Sequence, residues 1–128
     1  MQWRFLTYRR ANGADDVSDW YEALSAKAQV RVARTFQRMR DTSHLEWSQV
    51  VSIKGARGLS EVKFRRLDGL EWRISGCFPS SRMSFALPLP FYHQNRRYSP
   101  AGWKDLSIDR MKEIKDEPSR AKDWPLFS

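Results

Sequence analysis

The stretch from Gly58 to Leu89 constrains the fold most, because its apolar pattern reads as three consecutive strands around which everything else must pack. In GLSEVKFRR, Ser60, Val62 and Phe64 alternate with Leu59, Glu61, Lys63 and Arg65, a period of two that puts a charged row on one face. Leu67-Asp68-Gly69-Leu70 follows, and its Asp-Gly pair suits the positive φ angles of a tight hairpin turn. The chain returns with Leu70, Trp72, Ile74 and Phe78 on one face and Glu71, Arg73, Ser75 and Cys77 on the other. After Pro79-Ser80-Ser81, Met83, Phe85, Leu87 and Leu89 alternate with small residues until prolines stop the pairing. The expectation is an antiparallel meander, greasy on one surface, with Lys63, Arg65 and Arg73 on a solvated second surface.

The flanking segments supply helices. Gln2 to Tyr8 reads as a short first strand. Asp15, Asp16 and Ser18 give helix-start chemistry to a short amphipathic helix whose Val17, Trp20, Tyr21 and Leu24 recur at three- and four-residue steps. Ser25 caps a longer helix over Ala26 to Arg40, with Ala28, Val32, Phe36 and Met39 on one apolar stripe. Lys27, Arg31, Arg34 and Arg38 form a second stripe, a basic ridge that either a solvated face or a contact surface for RNA or an acidic partner explains. Asp41 to Ala56 lacks a clean period and reads as a loop with a partial strand or turn at Gln49 to Lys54. His44 has no second ligand at metal-binding spacing and reads as an ordinary loop residue. Lys54 and Arg57 flank Gly55 near the sheet, where a glycine admits either a close ligand or a plain turn. Asp105 to Lys115 resumes a helical period, with Leu106, Ile108, Met111 and Ile114 inward and Asp105 or Ser107 as cap. Trp124, Leu126 and Phe127 make a greasy tail that should dock. The fold class is α+β in one domain spanning 1–128: an N-terminal strand plus the meander, two N-terminal helices against that sheet, and a C-terminal helix.

Charge narrows the function. A net charge of +8 on 128 residues, with a pI near 10.1, makes an anionic partner the first expectation, nucleic acid ahead of an acidic protein or a membrane surface. Cys77 stands alone, which excludes an internal disulfide or a multi-cysteine metal site and leaves it as a small buried hydrophobe. No apolar run approaches the about 18 residues of a membrane span, and MQWRFLTYRR has no signal-peptide core, so the expected location is the cytoplasm. Pro90 to Lys104 reads as a long loop. No acidic residue lies between Arg82 and Lys104, while basic groups interleave with Phe91, Tyr92, His93, Tyr98 and Trp103. Cations that hold phosphates beside aromatic faces that accept bases suit single-stranded RNA; aromatics tucked into the core from a mobile loop are the alternative.

These residues carry a family resemblance. Gly58-Leu59-Ser60-Glu61-Val62-Lys63-Phe64 resembles the "GLYELR" strand of the RelE/ParE superfamily of toxins from toxin-antitoxin modules, and Glu71-Trp72-Arg73-Ile74 resembles its "YRV" strand. Phe91 to Pro100, with Arg96-Arg97 before Ser99-Pro100, looks like the passage into that superfamily's last helix. The order of elements resembles the HigB-like, phage-derived branch over nearly the whole chain. The resemblance implies a RelE-like microbial RNase fold and a metal-independent endoribonuclease without a cofactor. It implies cleavage of mRNA, commonly on the ribosome, and silencing by a small, helix-turn-helix antitoxin. Arg73 aligns with the strand arginine and is expected to stabilise the transition state, helped by Lys63 and Arg65, with Arg96 or Arg97 completing a phosphate clamp. His93, Tyr92 and Tyr98 are the candidates for proton transfer. Glu61 and Glu71 are expected to form cross-strand salt links that orient Lys63, Arg65 and Arg73. Leu89-Pro90-Phe91 departs from the histidine-glycine-phenylalanine run common there. Non-enzymatic readings stand beside the nuclease: a ParE-like inhibitor of DNA gyrase, or a phage-derived protein that only binds nucleic acid.

Overall fold

The computed structural model describes residues 2–80 and 82–127; Ser81, in the second expected turn, lies outside them, as do the two terminal residues. The chain runs β1 (Arg4–Tyr8), α1 (Asp16–Ala23), α2 (Ala26–Arg40), β2 (Val50–Ser52), β3 (Ser60–Lys63), β4 (Glu71–Gly76), β5 (Ser84–Leu87), β6 (Pro90–Gln94), β7 (Arg97–Ser99), α3 (Trp103–Asp116) and β8 (Ala121–Asp123). Short 3-10 turns at His44–Glu46, Pro118–Arg120 and Pro125–Phe127 fill the connections.

The N-terminal helices form as their local chemistry dictates. Asp15 accepts from the Ser18 N–H and Ser25 from the Ala28 N–H, each satisfying a donor that the helix leaves unpaired. The stripe Ala28, Val32, Phe36 and Met39 is buried as its spacing requires. Asp68 and Gly69, at φ 52° and 84°, make the hairpin turn that brings Leu67 opposite Leu70.

The strand pairing differs from a simple meander. β2, β3, β4, β6 and β7 form an antiparallel sheet in that order, and β5, β1 and β8 form a second, with β1 parallel to β5 and antiparallel to β8. A single bridge between Cys77 and Ala86 joins the two. The third strand of the meander is therefore Pro90–Gln94, not the Met83–Leu89 segment, and the expected loop from Pro90 to Lys104 is a β-hairpin leading into α3. All four residues of β5 are buried. A strand without a wet face belongs in the interior, and the parallel place beside β1 gives it one.

Both faces of the sheets are covered. α1 and α2 bury Phe5, Phe36, Val62, Ile74, Phe85 and Trp124 on one side. On the other, α3 meets Leu6, Leu59, Cys77 and Ala86 through Ile114, with Ile108 and Met111 packed alongside. The face expected to be solvated is thus partly roofed: Ser75 is fully buried, and the Ser107 hydroxyl donates to it across 3.0 Å. The same roofing corrects the inward face of the last helix, where Ser107, Arg110 and Ile114 are buried while Leu106 is exposed. That helix begins at Trp103 behind Gly102, with no side-chain cap. Arg110 is tolerated inside because it donates to Asp16 (2.7 Å) and to the Pro88 carbonyl (3.1 Å), and lies over the Tyr8 ring. The tail docks as expected, with Trp124 buried and its N–H on the Phe5 carbonyl. No helix among the described residues is long and apolar enough to cross a membrane.

Candidate active site

Register, not proximity in sequence, assembles the site. Lys63 pairs with Arg73 and Arg73 with Phe91; one step along, Glu71 pairs with His93 and His93 with Tyr98. Directly opposed residues share a face, so two cross-strand rows lie side by side on the α3 face of the sheet. Within them, Arg73 Nη1 donates to the Tyr98 hydroxyl oxygen at 2.8 Å, the guanidinium carbon standing 5.5 Å from that ring's centre. The His93 ring lies 4.6 Å from the Tyr98 ring, and its Nδ1 is 3.6 Å from a Glu71 carboxylate oxygen. Glu61 is buried next to them, 3.9 Å from Arg73 Nη1 and 3.6 Å from Lys63 Nζ. Trp103, in the first turn of α3, stacks on Phe91 at 4.1 Å and closes against Tyr98 at 5.1 Å, which fixes the floor.

Chemically, this is a charge-balanced cluster, Lys63 and Arg73 against Glu61 and Glu71, with an imidazole and a hydroxyl beside it. The Arg73 side chain is 17% exposed and Lys63 49%, so a phosphate reaches Lys63 freely and Arg73 at its edge. Because Arg73 occupies a lone pair of the Tyr98 oxygen, the Tyr98 O–H is left to donate elsewhere. Glu61 faces two cations at once, the role expected of it, while Glu71 stands 3.6 Å from the histidine instead of beside a Lys or Arg.

Other expected members lie elsewhere. Tyr92 points to the opposite face, where it pairs with Trp72 and Ser99, its ring 4.8 Å from the Trp72 ring, because it is one residue out of step with His93. Arg65 lies past the end of β3, where parity no longer governs, and lines a groove with α2. Asn95 and Arg96, at φ 52° and 64°, form the tip of the β6–β7 hairpin, and Arg97 pairs with Gln94 on the Tyr92 side. Both arginines are exposed, and neither has a hydrogen bond or ion pair to the Arg73 cluster among the described residues. Lys54 and Arg57 are exposed on a turn whose Ile53, Ala56 and Leu59 pack toward α3; the Lys104 ammonium donates to the Lys54 carbonyl at 2.6 Å, lying where a side chain on Gly55 would stand. His44 sits among Trp3, Trp47 and Phe78 as a packing ring.

The basic ridge of α2 is exposed along its length. Arg31, Arg34 and Arg38 line a groove of about 930 Å³ with Lys63 and Arg65, so the ridge and the Arg73 cluster meet at Lys63. Lys27 opens a smaller cleft beside Arg31, Arg66 and Asp68. Among the described residues no group of three or more His, Cys, Asp or Glu is placed to hold a metal. Burial pushes the Cys77 thiol up to about 12, the behaviour of an inert packed cysteine. The contribution of Trp103 escaped the sequence reading because its role depends on α3 folding over the hairpin. The inward place of Arg110 did leave a trace, the three- and four-residue steps that join Ser107, Arg110 and Ile114.

Comparison with known proteins returns no matching family model, no matching curated protein and no matching solved structure.

Proposed function

We propose that the protein is an endoribonuclease that needs no metal, the toxin of a bacterial or phage toxin-antitoxin module with a RelE-like, HigB-like fold. Its substrate is mRNA, met on the ribosome, and its inhibitor a small DNA-binding antitoxin. One observation carries the reading: the guanidinium of Arg73, the hydroxyl of Tyr98, the ring of His93 and the ammonium of Lys63 project from one face of four adjacent strands, with Glu61 and Glu71 beside them.

The reaction follows from those groups. The ribose O2′ attacks the adjacent phosphorus, forming O2′–P and breaking P–O5′, to leave a 2′,3′-cyclic phosphate and a 5′-hydroxyl. His93, whose Nδ1 faces the Glu71 carboxylate at 3.6 Å, takes the 2′-OH proton at Nε2. Arg73 and Lys63 stabilise the extra charge on the non-bridging oxygens, for which the guanidinium fork is well shaped. Tyr98 gives its proton to the departing O5′, and Arg73 stabilises the charge left on the phenol oxygen.

Incubating purified protein with single-stranded RNA and with ribosome-bound mRNA, a chelator present throughout, tests this. Cleavage leaving cyclic phosphate ends, lost in Arg73→Ala and Tyr98→Phe, supports it; no cleavage in either format refutes it. A binding-only role, on gyrase or on nucleic acid, is the second reading. It is favoured by the small exposure of Arg73 and by the satisfaction of that arginine within the fold by Tyr98 and Glu61.

A further inference from the structure

On the other face of the same strands, a second groove of about 560 Å³ runs between α1 and the sheet, walled by Trp20, Leu24, Leu70, Trp72, Tyr92 and Pro100. Trp72 and Tyr92 alternate with Arg73 and His93 along β4 and β6, so this groove and the catalytic rows share a sheet but not a face. Its charge runs against the rest of the molecule. The chain holds 23 Lys and Arg, yet no Lys, Arg or His lines this groove, while Asp16, Asp19 and Asp68 do. Asp16 is engaged by Arg10 and Arg110, and Asp68 by Ser25. The Asp19 carboxylate is exposed and has no hydrogen bond or ion pair among the described residues.

A second observation concerns Trp20. It is only 7% exposed, it lines the groove, and its indole N–H is buried without an acceptor among the described residues. Buried donors are nearly always paired, because leaving one unmet forfeits the hydrogen bond it had with water. We propose that this groove docks a segment of a partner polypeptide that presents Lys or Arg beside apolar side chains. The cation meets Asp19, the apolar groups enter between Trp20, Trp72 and Tyr92, and, once the Trp20 ring turns to uncover its buried N–H, a backbone carbonyl of the segment accepts from it. Nucleic acid is disfavoured, since phosphates approaching Asp16, Asp19 and Asp68 are repelled while the basic α2 groove lies open elsewhere. The inference does not depend on RNA cleavage.

The test uses the full chain labelled with ¹⁵N, in which each of the six tryptophans contributes an indole resonance. The probes are a short synthetic peptide of leucine and lysine, the same peptide with glutamate for lysine, and a short single-stranded RNA. The expected result is a shift of the Trp20 and Trp72 indole signals with the lysine peptide, none with the glutamate peptide, and affinity for the lysine peptide weakened about tenfold in Asp19→Lys and less in Asp19→Asn. The comparison between the two peptides needs no protein variant, so it stands even if a substitution disturbs α1. Absence of binding, equal binding of both peptides, or shifts confined to Trp3, Trp47, Trp103 and Trp124 would overturn the proposal. Displacement of the Trp20 signal by the RNA would overturn it in favour of a nucleic-acid groove.

Discussion

Arg73, the centre of the proposed site, is also part of what holds the fold together. Its guanidinium holds Tyr98 and faces Glu61, which is itself buried. A solvated Arg73, as alternation implies, would leave an alanine variant's stability unchanged; the half-buried position alters that outcome. Arg73→Ala is expected to lower RNA cleavage on the order of a hundredfold or more, the scale of losing one donor to a developing oxyanion. It should also destabilise by about 1–2 kcal/mol, because Glu61 keeps only Lys63 as a partner. Urea unfolding beside a cleavage assay separates the two effects, and full activity in the variant would falsify the assignment. Asp16 gives a residue-scale prediction about acid. Burial alone raises its pKa, but the hydrogen bonds and charges of Arg10 and Arg110 outweigh burial and hold the carboxyl below its ordinary value of 3.8. Its stabilising contribution is therefore complete above that value and is lost as pH falls through the lower folded-state value. Asp16→Asn should cost about 3 kcal/mol near neutrality by stranding Arg110, and should flatten the acid limb of stability against pH, read from urea midpoints at stepped pH.

At the scale of the element, β4 ends where a small residue is demanded. An added Cβ on Gly76 would stand 2.2 Å from the ring tip of Phe85, which is fully buried. Gly76→Ala should therefore destabilise by about 1–3 kcal/mol, and Phe85→Leu in the same chain should recover part of that loss. A double-mutant cycle on thermal midpoints measures the coupling, and additive effects would show that the two residues do not meet. The helices were legible because their signals are local: Asp15, Ser25 and the apolar stripe of α2 act within a few residues. The meander was half legible. β3, its Asp68-Gly69 turn and β4 paired as their alternation demands, whereas the choice of third strand depended on which segment was better hidden beside β1.

Across the whole molecule, positive charge collects on a continuous path, from the α2 ridge through Lys63 to Arg73, while the α1 groove carries carboxylates. If RNA follows that path, its affinity falls with salt by a slope of about 0.7 per phosphate neutralised on a single strand. Replacing Arg34 and Arg38 together with glutamine should reduce the slope by about 1.4, with little change in stability since both are exposed. Filter binding at graded salt checks it; an unaltered slope returns the ridge to ordinary solvated surface. At the candidate site, alternation put Lys63 and Arg73 on one face, whereas His93 and Tyr98 were legible only as residue types in a segment that read as a loop. Arg65 and Arg96 sit at a strand end and a hairpin tip, where alternation ceases to assign faces, and Arg97 falls on the Tyr92 side of a hairpin that read as a loop.

The amino-acid order alone determined the two capped N-terminal helices, the tight turn at Asp68-Gly69, the common face of Lys63 and Arg73, and the basic character of the surface. Each of these follows from neighbours along the chain or from composition. Only the tertiary structure decided that β5 leaves the meander for β1, that Pro90–Ser99 is a hairpin placing His93 and Tyr98 beside Arg73 with Tyr92 turned away, and that α3 roofs the charged face. Those outcomes rest on burial shared between distant segments, and a repeat of two or of three to four residues records which face a side chain takes without recording what will cover it.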